Sequence, residues 1–204
     1  MSRRDDSKAE TRELILNAAH GLFWEKGAAN CTIRDIATEA GVSPASIIVH
    51  FKNKTALLEV ALHEDISKAL AKALATLPRE KGLHAVLMHI VRSMLSLYGK
   101  NRELYRILVR DTFFEPDHDN PTMAKLLEEH LTFTISLIEQ EKNKGTIRVD
   151  ADSLLAASSF FYLYIGVLRD FLRDPELSVS KAVGILSAIL DQHLAGIAIP
   201  GVDR

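Results

Sequence analysis

The chain has 204 residues, of which 47% are hydrophobic and 25% are charged, and its formal net charge is −2. This composition is ordinary for a soluble protein with a real core, and the length suits one large domain or two small ones. The nearly balanced charge excludes bulk electrostatics as an argument for a nucleic-acid partner, so any such binding must depend on individually placed residues.

Cysteine content and hydropathy predict a cytoplasmic protein. The single cysteine, Cys31, excludes an intramolecular disulfide and fits a reducing compartment. The N-terminal residues are basic and then acidic, and they lack the apolar core of a signal peptide. The longest uncharged run, from Ser153 to Leu168, is shorter than the roughly 20 residues that span a bilayer, so we expect a helix buried against protein.

Apolar residues recur with helical spacing from the start of the chain, and no segment shows sustained strand-like alternation. The first helix is predicted from about Lys8 to Glu25 and ends at Lys26-Gly27. Its inner face is predicted to contain Leu14, Ile15, Ala18, Leu22 and Phe23.

Two short helices follow. Thr32 precedes the apolar-periodic residues of "IRDIATEA", and Asp35 three residues later is a weak capping-box signature. Gly41 ends this helix, because glycine accepts the left-handed conformation that helix C-termini often adopt. Ser43 is the next N-cap and Pro44 takes the first helical position, where its missing N–H costs nothing. The serine-proline pair therefore starts a third helix, which ends near Phe51.

Six further helices are predicted, separated by glycine, proline and asparagine, for a total of about nine. Their ranges are about 54–77, 82–99, 101–114, 122–143, 152–173 and 179–195. The fold class is therefore all-α. We expect a helix-turn-helix domain over residues 1–53, with the helix-turn-helix at about 33–52, and a larger helical domain over residues 54–204 that the long helix 54–77 links to the first.

Two short helices joined by a tight glycine-containing turn are typical of a DNA-binding helix-turn-helix, in which the second helix enters the major groove. The residues predicted to form the shared core are Ile33, Ile36, Ala37, Val42, Ile47 and Phe51. Ile48 and Val49 would then be exposed, and a thymine methyl group is a natural partner for an apolar side chain there. The alternative is that Ile48 and Val49 pack on the first or fourth helix.

The segment from Thr11 to Leu62 resembles the N-terminal domain of TetR-type transcriptional regulators. The similarity rests on "TIRDIA", "AGVS" and "HFKNK" followed by Leu-Leu. The resemblance implies a homodimer that binds a palindromic DNA operator. By position it implies phosphate contacts for Thr32 and Lys54, and contacts in or beside the groove for Arg34, Pro44, Ala45, Ser46, Ile48, Val49 and His50. The family commonly has tyrosine where this chain has Ile48, so the usual hydroxyl–phosphate hydrogen bond is missing here.

The same resemblance implies that the last two helices pair with their twins in a dimer. The predicted interface residues are Phe160, Tyr164, Leu168, Val183, Leu186, Ile189 and Leu190. A buried core within one chain explains the same apolar stripe.

The resemblance also implies a small-molecule effector pocket in the larger domain. The candidate lining residues are Met88, Arg92, Tyr98, Tyr105, Phe113, Phe114, His130, Phe133, Tyr162 and Arg169. The aromatic content favours an apolar or aromatic effector, and Arg92, His130 or Arg169 could pair with an acid.

The leading hypothesis is a ligand-responsive repressor that an effector releases from its operator; the alternative is an effector-independent DNA-binding structural or adaptor protein. An enzyme is not expected, since the sequence has no catalytic or nucleotide-binding motif. No cofactor and no metal site are predicted either. We interpret Asp117-His118-Asp119 as a solvated loop rather than a cation site.

Overall fold

The computed structural model describes residues 3–114 and 121–199, and within them the chain is all-α, as predicted. The described part contains nine α-helices and one short 3-10 turn, Arg79–Lys81. The helices are α1 (Arg3–Lys26), α2 (Ile33–Ala40), α3 (Pro44–Phe51), α4 (Lys54–Ala75), α5 (Gly82–Tyr98), α6 (Arg102–Phe114), α7 (Pro121–Lys144), α8 (Ser153–Arg173) and α9 (Val179–Ala195). The largest difference from the predicted boundaries is at α1, which begins at Arg3 rather than near Lys8.

The chain divides into two compact units. Unit 1 comprises Met1–Ile66 and Asn101–Met123, and unit 2 comprises Ser67–Lys100 and Ala124–Arg204. The division does not follow the predicted boundary after residue 53, because the first part of α4 and the whole of α6 pack with the N-terminal helices. The extent of the functional domains stays a prediction.

Unit 1 has a core to which α1, α2, α3, α4 and α6 all contribute. Fully buried side chains include Ile15, Phe23, Ile36, Ile47, Leu57, Leu62 and Leu104. The predicted helix-turn-helix core is present, with Ile33 and Val42 at its half-buried edge. One prediction is wrong: Leu14 is 55% exposed, because the inner stripe of α1 runs through Ile15 and Ala19 instead.

Two buried carboxylates join α4 to α6 inside unit 1. The Thr112 hydroxyl donates a hydrogen bond to Glu59 Oε1 at 3.0 Å, and the Thr55 hydroxyl donates to Asp111 Oδ2 at 3.3 Å. Arg110 forms an ion pair with Asp111 at 2.6 Å. A buried carboxylate is costly unless it is hydrogen-bonded or paired, so these contacts specify how α6 packs on α4.

Unit 2 is built around α5, α8 and α9, which contact one another. Its core contains five of the residues predicted for the dimer interface, namely Phe160, Leu168, Val183, Leu186 and Leu190, all at most 5% exposed; Tyr164 and Ile189 are half-buried. The interface prediction therefore needs correction. The apolar stripe through these residues covers the chain's own core and is not available to a second chain.

The described residues leave the opposite faces of α8 and α9 uncovered. Leu155 and Tyr162 on α8 are 65% and 72% exposed, and Ile185 on α9 is 47% exposed. By length and composition alone, α8 is also apolar enough to cross a membrane, but core helices of soluble proteins share this property. Of the most apolar 18-residue stretch of α8, 33% is buried inside the chain.

Candidate DNA-binding interface

The helix α2 begins at the capping box that the sequence predicts. The Asp35 amide donates to the Thr32 hydroxyl oxygen at 3.1 Å, and the Thr32 amide donates to Asp35 Oδ2 at 2.8 Å. Hydrogen bonds from the side chain and the backbone of Thr32 lower the pKa of the Asp35 carboxyl, so this carboxylate is ionised at neutral pH. Thr32 is exposed, as a contact to a DNA phosphate requires.

The turn between α2 and α3 has the geometry that its residues favour. Gly41 ends α2 in the left-handed conformation, at φ 66° and ψ 30°. Ser43 caps α3, because its hydroxyl oxygen accepts a hydrogen bond from the Ser46 amide at 3.1 Å, and Pro44 follows in the first turn. These local contacts set the start of α3 without help from distant residues.

The helix α3 divides into a buried face and an exposed face. Ile47 and Phe51 are buried, while Ile48 is 47% exposed and Val49 is 77% exposed. The structure does not bury Val49 against α1 or α4, so its side chain is free to meet a partner outside the chain. The other residues predicted to contact DNA from this helix are exposed (Pro44, Ala45) or half-buried (Ser46, His50), and Arg34 on α2 is exposed.

The connection from α3 to α4 is tight. Lys52 has φ 62° and ψ −56°, and the Asn53 amide donates to the Phe51 carbonyl at 2.7 Å, which closes a three-residue γ-turn. A positive φ is uncommon for lysine and stores backbone strain. The Asn53 side chain then caps α4 by accepting from the Ala56 amide at 2.8 Å. This turn holds the end of α3 directly against the start of α4.

The structure gives Lys54 a contact inside the chain that sequence reasoning missed. Its ammonium group donates to the carbonyls of Ala28 at 2.8 Å and Cys31 at 3.0 Å, which lie in the loop between α1 and α2. Two of its three N–H donors are therefore committed to this loop. The contact between Lys54 and a DNA phosphate stays a prediction. The two hydrogen bonds to the loop already explain why a lysine is present at this position, whether or not it also contacts DNA.

Replacing Lys54 by methionine should destabilise unit 1. Methionine keeps an apolar stem of similar length but leaves the carbonyls of the buried residues Ala28 and Cys31 without their donor, at a cost of about 1–3 kcal/mol. Urea unfolding followed by the fluorescence of Trp24, the only tryptophan, measures the change. The matched control is Lys52→Met, at an exposed position two residues away, which should leave stability within about 0.5 kcal/mol. Equal stability of the two variants would contradict the role of Lys54 in holding the loop.

Arg12 is a second residue that sequence reasoning missed. Its guanidinium carbon lies 5.1 Å from the centre of the Phe51 ring, within the range of a cation–π contact. Arg12 is in the first part of α1 and Phe51 is the last residue of α3, so this contact ties the two helices together. The only sequence signal was the position of Arg12 at the start of the segment that resembles the family.

Substituting Ile48 by tyrosine should change sequence preference more than affinity. Because Ile48 is half exposed, the larger ring fits without overpacking the core. The hydroxyl should gain a phosphate hydrogen bond, which does not depend on sequence, while the loss of a thymine methyl contact should relax discrimination by about 1 kcal/mol per half-site. Binding to single-base operator variants and the melting temperature measure the two effects. A lower melting temperature with uniform weakening across the variants would show that Ile48 has a packing role.

The residues predicted to bind an effector are spread over both units. Unit 1 contains Tyr105 and Phe113, the Phe114 side chain lies outside the described part, and the remaining seven are in unit 2. For three of these seven, the predicted place in a pocket is wrong, because they lie on the surface. Tyr162 is 72% exposed, Arg92 is exposed, and Arg169 is exposed and forms an ion pair with Asp170 at 2.7 Å. Met88 and Tyr98 are buried, and His130 and Phe133 are half-buried.

A cleft in unit 2 has about 290 Å³ of empty space, part of it open solvent, and none of the predicted effector residues line it. Its walls are formed by Leu83, His84, Glu141, Thr146, Ile147, Leu194 and Ala198. Among the described residues, no group of three or more histidine, cysteine, aspartate or glutamate side chains could hold a metal ion. The Asp117-His118-Asp119 sequence lies outside the described residues.

Comparison with known proteins identifies the helix-turn-helix. Residues 15–61 match the family model described as bacterial regulatory proteins, tetR family. The chain is 29% identical over 187 residues to the HTH-type transcriptional regulator UidR of Escherichia coli K12, covering 88% of this chain and 91% of that protein. It is 28% identical over 186 residues to the HTH-type transcriptional regulator TtgR of Pseudomonas putida, covering 86% and 87%.

Among solved structures, the fold is similar to that of Thermus thermophilus FadR, a TetR-family transcriptional repressor in complex with lauroyl-CoA. The TM-score is 0.74 and the identity is 19%, with 95% of this chain and 98% of that chain covered. At this identity the similarity concerns the fold.

Proposed function

Because the chain belongs to the TetR family of helix-turn-helix transcriptional regulators, we propose that it is a repressor that binds a palindromic operator as a homodimer and leaves it when a small molecule binds. The observation that carries the proposal is the exposed face of α3, where Val49 is 77% exposed on a helix that Ser43 caps. An apolar side chain held in this way suits contact with base edges better than contact with water. The relatives reported above are transcriptional regulators and not enzymes, and we propose the same, with a cytoplasmic location, for this chain.

The proposed dimer uses the uncovered faces of α8 and α9. Leu155, Tyr162 and Gly166 share one face of α8, since they are separated by seven and four residues, and Gly184 and Ile185 lie on the exposed face of α9. These are the two helices predicted from the sequence, but the face is the opposite one.

The two glycines support close helix–helix contact at this surface. A Cβ added at Gly166 or at Gly184 would meet nothing within 4 Å among the described residues, so packing between those residues requires neither glycine. A glycine inside a helix lowers stability by about 1 kcal/mol relative to alanine. Because both helices of this surface carry such a glycine on the exposed face, we interpret the two glycines as functional. Close approach of a second chain supplies that function.

We propose that an effector releases the DNA by changing the spacing of the two recognition helices in the dimer. Two α3 helices must meet major grooves at a set spacing, and an effector that favours another spacing weakens both contacts together. The FadR repressor, which binds lauroyl-CoA, supports a ligand-responsive role for this fold.

Selection from a pool of random DNA duplexes tests the proposal. The purified chain should enrich an inverted repeat, and light scattering at micromolar concentration should give twice the chain mass of 22.7 kDa. A monomer in solution, or the enrichment of no common sequence, would overturn the proposal.

A further inference from the structure

Three polar side chains face the interior of unit 2 on three different helices. They are Tyr98 on α5, His130 on α7 and Tyr164 on α8. The hydroxyls of Tyr98 and Tyr164 are close enough to influence each other's ionisation. The His130 ring lies 6.2 Å from the ring of Phe161, which is one helical turn before Tyr164 on α8. Because Phe161 and Tyr164 are three residues apart on α8, His130 faces the side of α8 that carries Tyr164. We call Tyr98, His130 and Tyr164 the polar cluster.

Two of these three groups have hydrogen-bonding capacity that the described residues do not use. Among the described residues, neither His130 Nε2 nor the Tyr164 hydroxyl oxygen, both buried, has a partner at normal hydrogen-bond distance and angle, although the Tyr98 hydroxyl is close enough to influence Tyr164. By contrast, the buried Thr134, one turn after His130 on α7, is satisfied, because its hydroxyl donates to the His130 carbonyl at 3.0 Å. Buried polar atoms are nearly always hydrogen-bonded, so two exceptions inside unit 2, one on α7 and one on α8, need an explanation.

We infer that Tyr98, His130 and Tyr164 form the polar end of the effector site, and that the effector is an uncharged molecule with an apolar body and one hydroxyl or carbonyl group. The inference rests on the proposed effector-responsive function. The phenols and the imidazole donate or accept hydrogen bonds, which is what such a group requires. Met94 lies one turn before Tyr98 on α5, and a methionine side chain adapts readily to an apolar ligand.

The protonation states of the cluster favour an uncharged ligand over an acid. Burial lowers the pKa of His130, so the imidazole is neutral at neutral pH and offers no positive charge. Burial raises the pKa of Tyr98 to about 12 and raises that of Tyr164 as well, so both phenols keep their protons. The two arginines that could have paired with an acid, Arg92 and Arg169, are exposed. A carboxylate bound to these three groups would lose its hydration without gaining a counter-ion from them.

Thermal stability without any ligand gives the first test. If the polar atoms serve a ligand rather than the fold, removing them should raise the melting temperature, since function and stability then conflict. We expect His130→Leu and Tyr164→Phe each to raise it or to leave it unchanged. The matched control is His84→Leu in the same unit, which should lower it, because His84 Nε2 has Ser187 Oγ at 3.1 Å and Asp191 Oδ1 at 3.5 Å as partners. A fall in the His130 and Tyr164 variants as large as that of the control would overturn the inference.

Ligand-induced thermal shifts of the full chain give the second test, with probes paired by skeleton. The pairs are 1-naphthol with 1-naphthoate and 1-decanol with decanoate. We expect at least one alcohol to raise the melting temperature and the matching carboxylate to raise it less. In Tyr164→Phe, the ratio of the apparent affinity of the alcohol to that of the carboxylate should fall at least tenfold. A stronger effect of the carboxylates, no effect of either alcohol, or an unchanged advantage in Tyr164→Phe would overturn the inference.

The two proposals fail separately. The thermal shifts contain no DNA, so they test the effector chemistry alone. Loss of the operator-binding proposal would appear as the absence of a selected DNA sequence, whatever the thermal shifts show.

Discussion

Replacing Val49 by glutamate is expected to abolish specific operator binding without unfolding the protein. Val49 is 77% exposed, so the substitution removes no core contact. On the proposed interface, however, it removes an apolar contact to a base edge and places a negative charge beside the phosphates. A lost contact in a DNA site costs about 1–3 kcal/mol. With one copy per half-site, the loss is about 2–6 kcal/mol, or roughly thirty-fold to more than ten-thousand-fold in affinity.

The chain offers a matched control for this substitution in unit 2. Val149 lies in the loop between α7 and α8 and is 82% exposed, so Val149→Glu makes the same chemical change with the same change in net charge. Fluorescence anisotropy with a labelled operator duplex compares the two variants. Val149→Glu should bind as the unmodified chain does. Equal weakening in both variants would mean that added negative charge, and not the position of Val49, determines the effect.

Replacing Ile185 by glutamate is expected to give a folded monomer that no longer binds the operator. Ile185 is 47% exposed on α9, so the chain can fold with a charge there. In the proposed dimer, the carboxylate would be desolvated without a partner in both copies, at several kcal/mol each. Light scattering should give the mass of one chain, 22.7 kDa, and operator affinity should fall by at least two orders of magnitude.

The neighbouring residue is the control for the dimer surface. Leu186 is fully buried in the core of unit 2, so Leu186→Glu should unfold the chain instead of separating two folded chains. Circular dichroism distinguishes the outcomes, because Ile185→Glu should keep its helical signal and Leu186→Glu should lose much of it. A dimeric Ile185→Glu variant with normal operator binding would remove α9 from the proposed interface.

The helix-turn-helix was predictable because short-range contacts specify it. Thr32 and Asp35 cap each other across one turn, Gly41 takes a left-handed conformation, and Ser43 caps the helix that Pro44 begins. Each of these contacts joins residues at most three positions apart, so the sequence alone contains the information. The alternation of buried and exposed residues on α3 follows from helical periodicity once its start is known.

The faces of α8 and α9 and the role of Lys54 were not predictable in the same way. Both faces of α8 are apolar, and only the packing of α5, α8 and α9 decides that Phe160 is covered while Tyr162 is not. Lys54 contacts a loop more than twenty residues earlier in the chain, and no local pattern indicates such a contact. Long-range packing decides between alternatives that periodicity leaves equal.

In the proposed homodimer, two copies of α3 recognise the two halves of a palindrome. The most direct test is the stoichiometry and affinity of the chain on the selected operator, measured by sedimentation with labelled duplexes that contain both half-sites or only one. We expect two chains on the full operator and an affinity at least one hundred-fold weaker when one half-site is scrambled. A single chain on the full operator, or an affinity that does not change when a half-site is scrambled, would contradict this proposal.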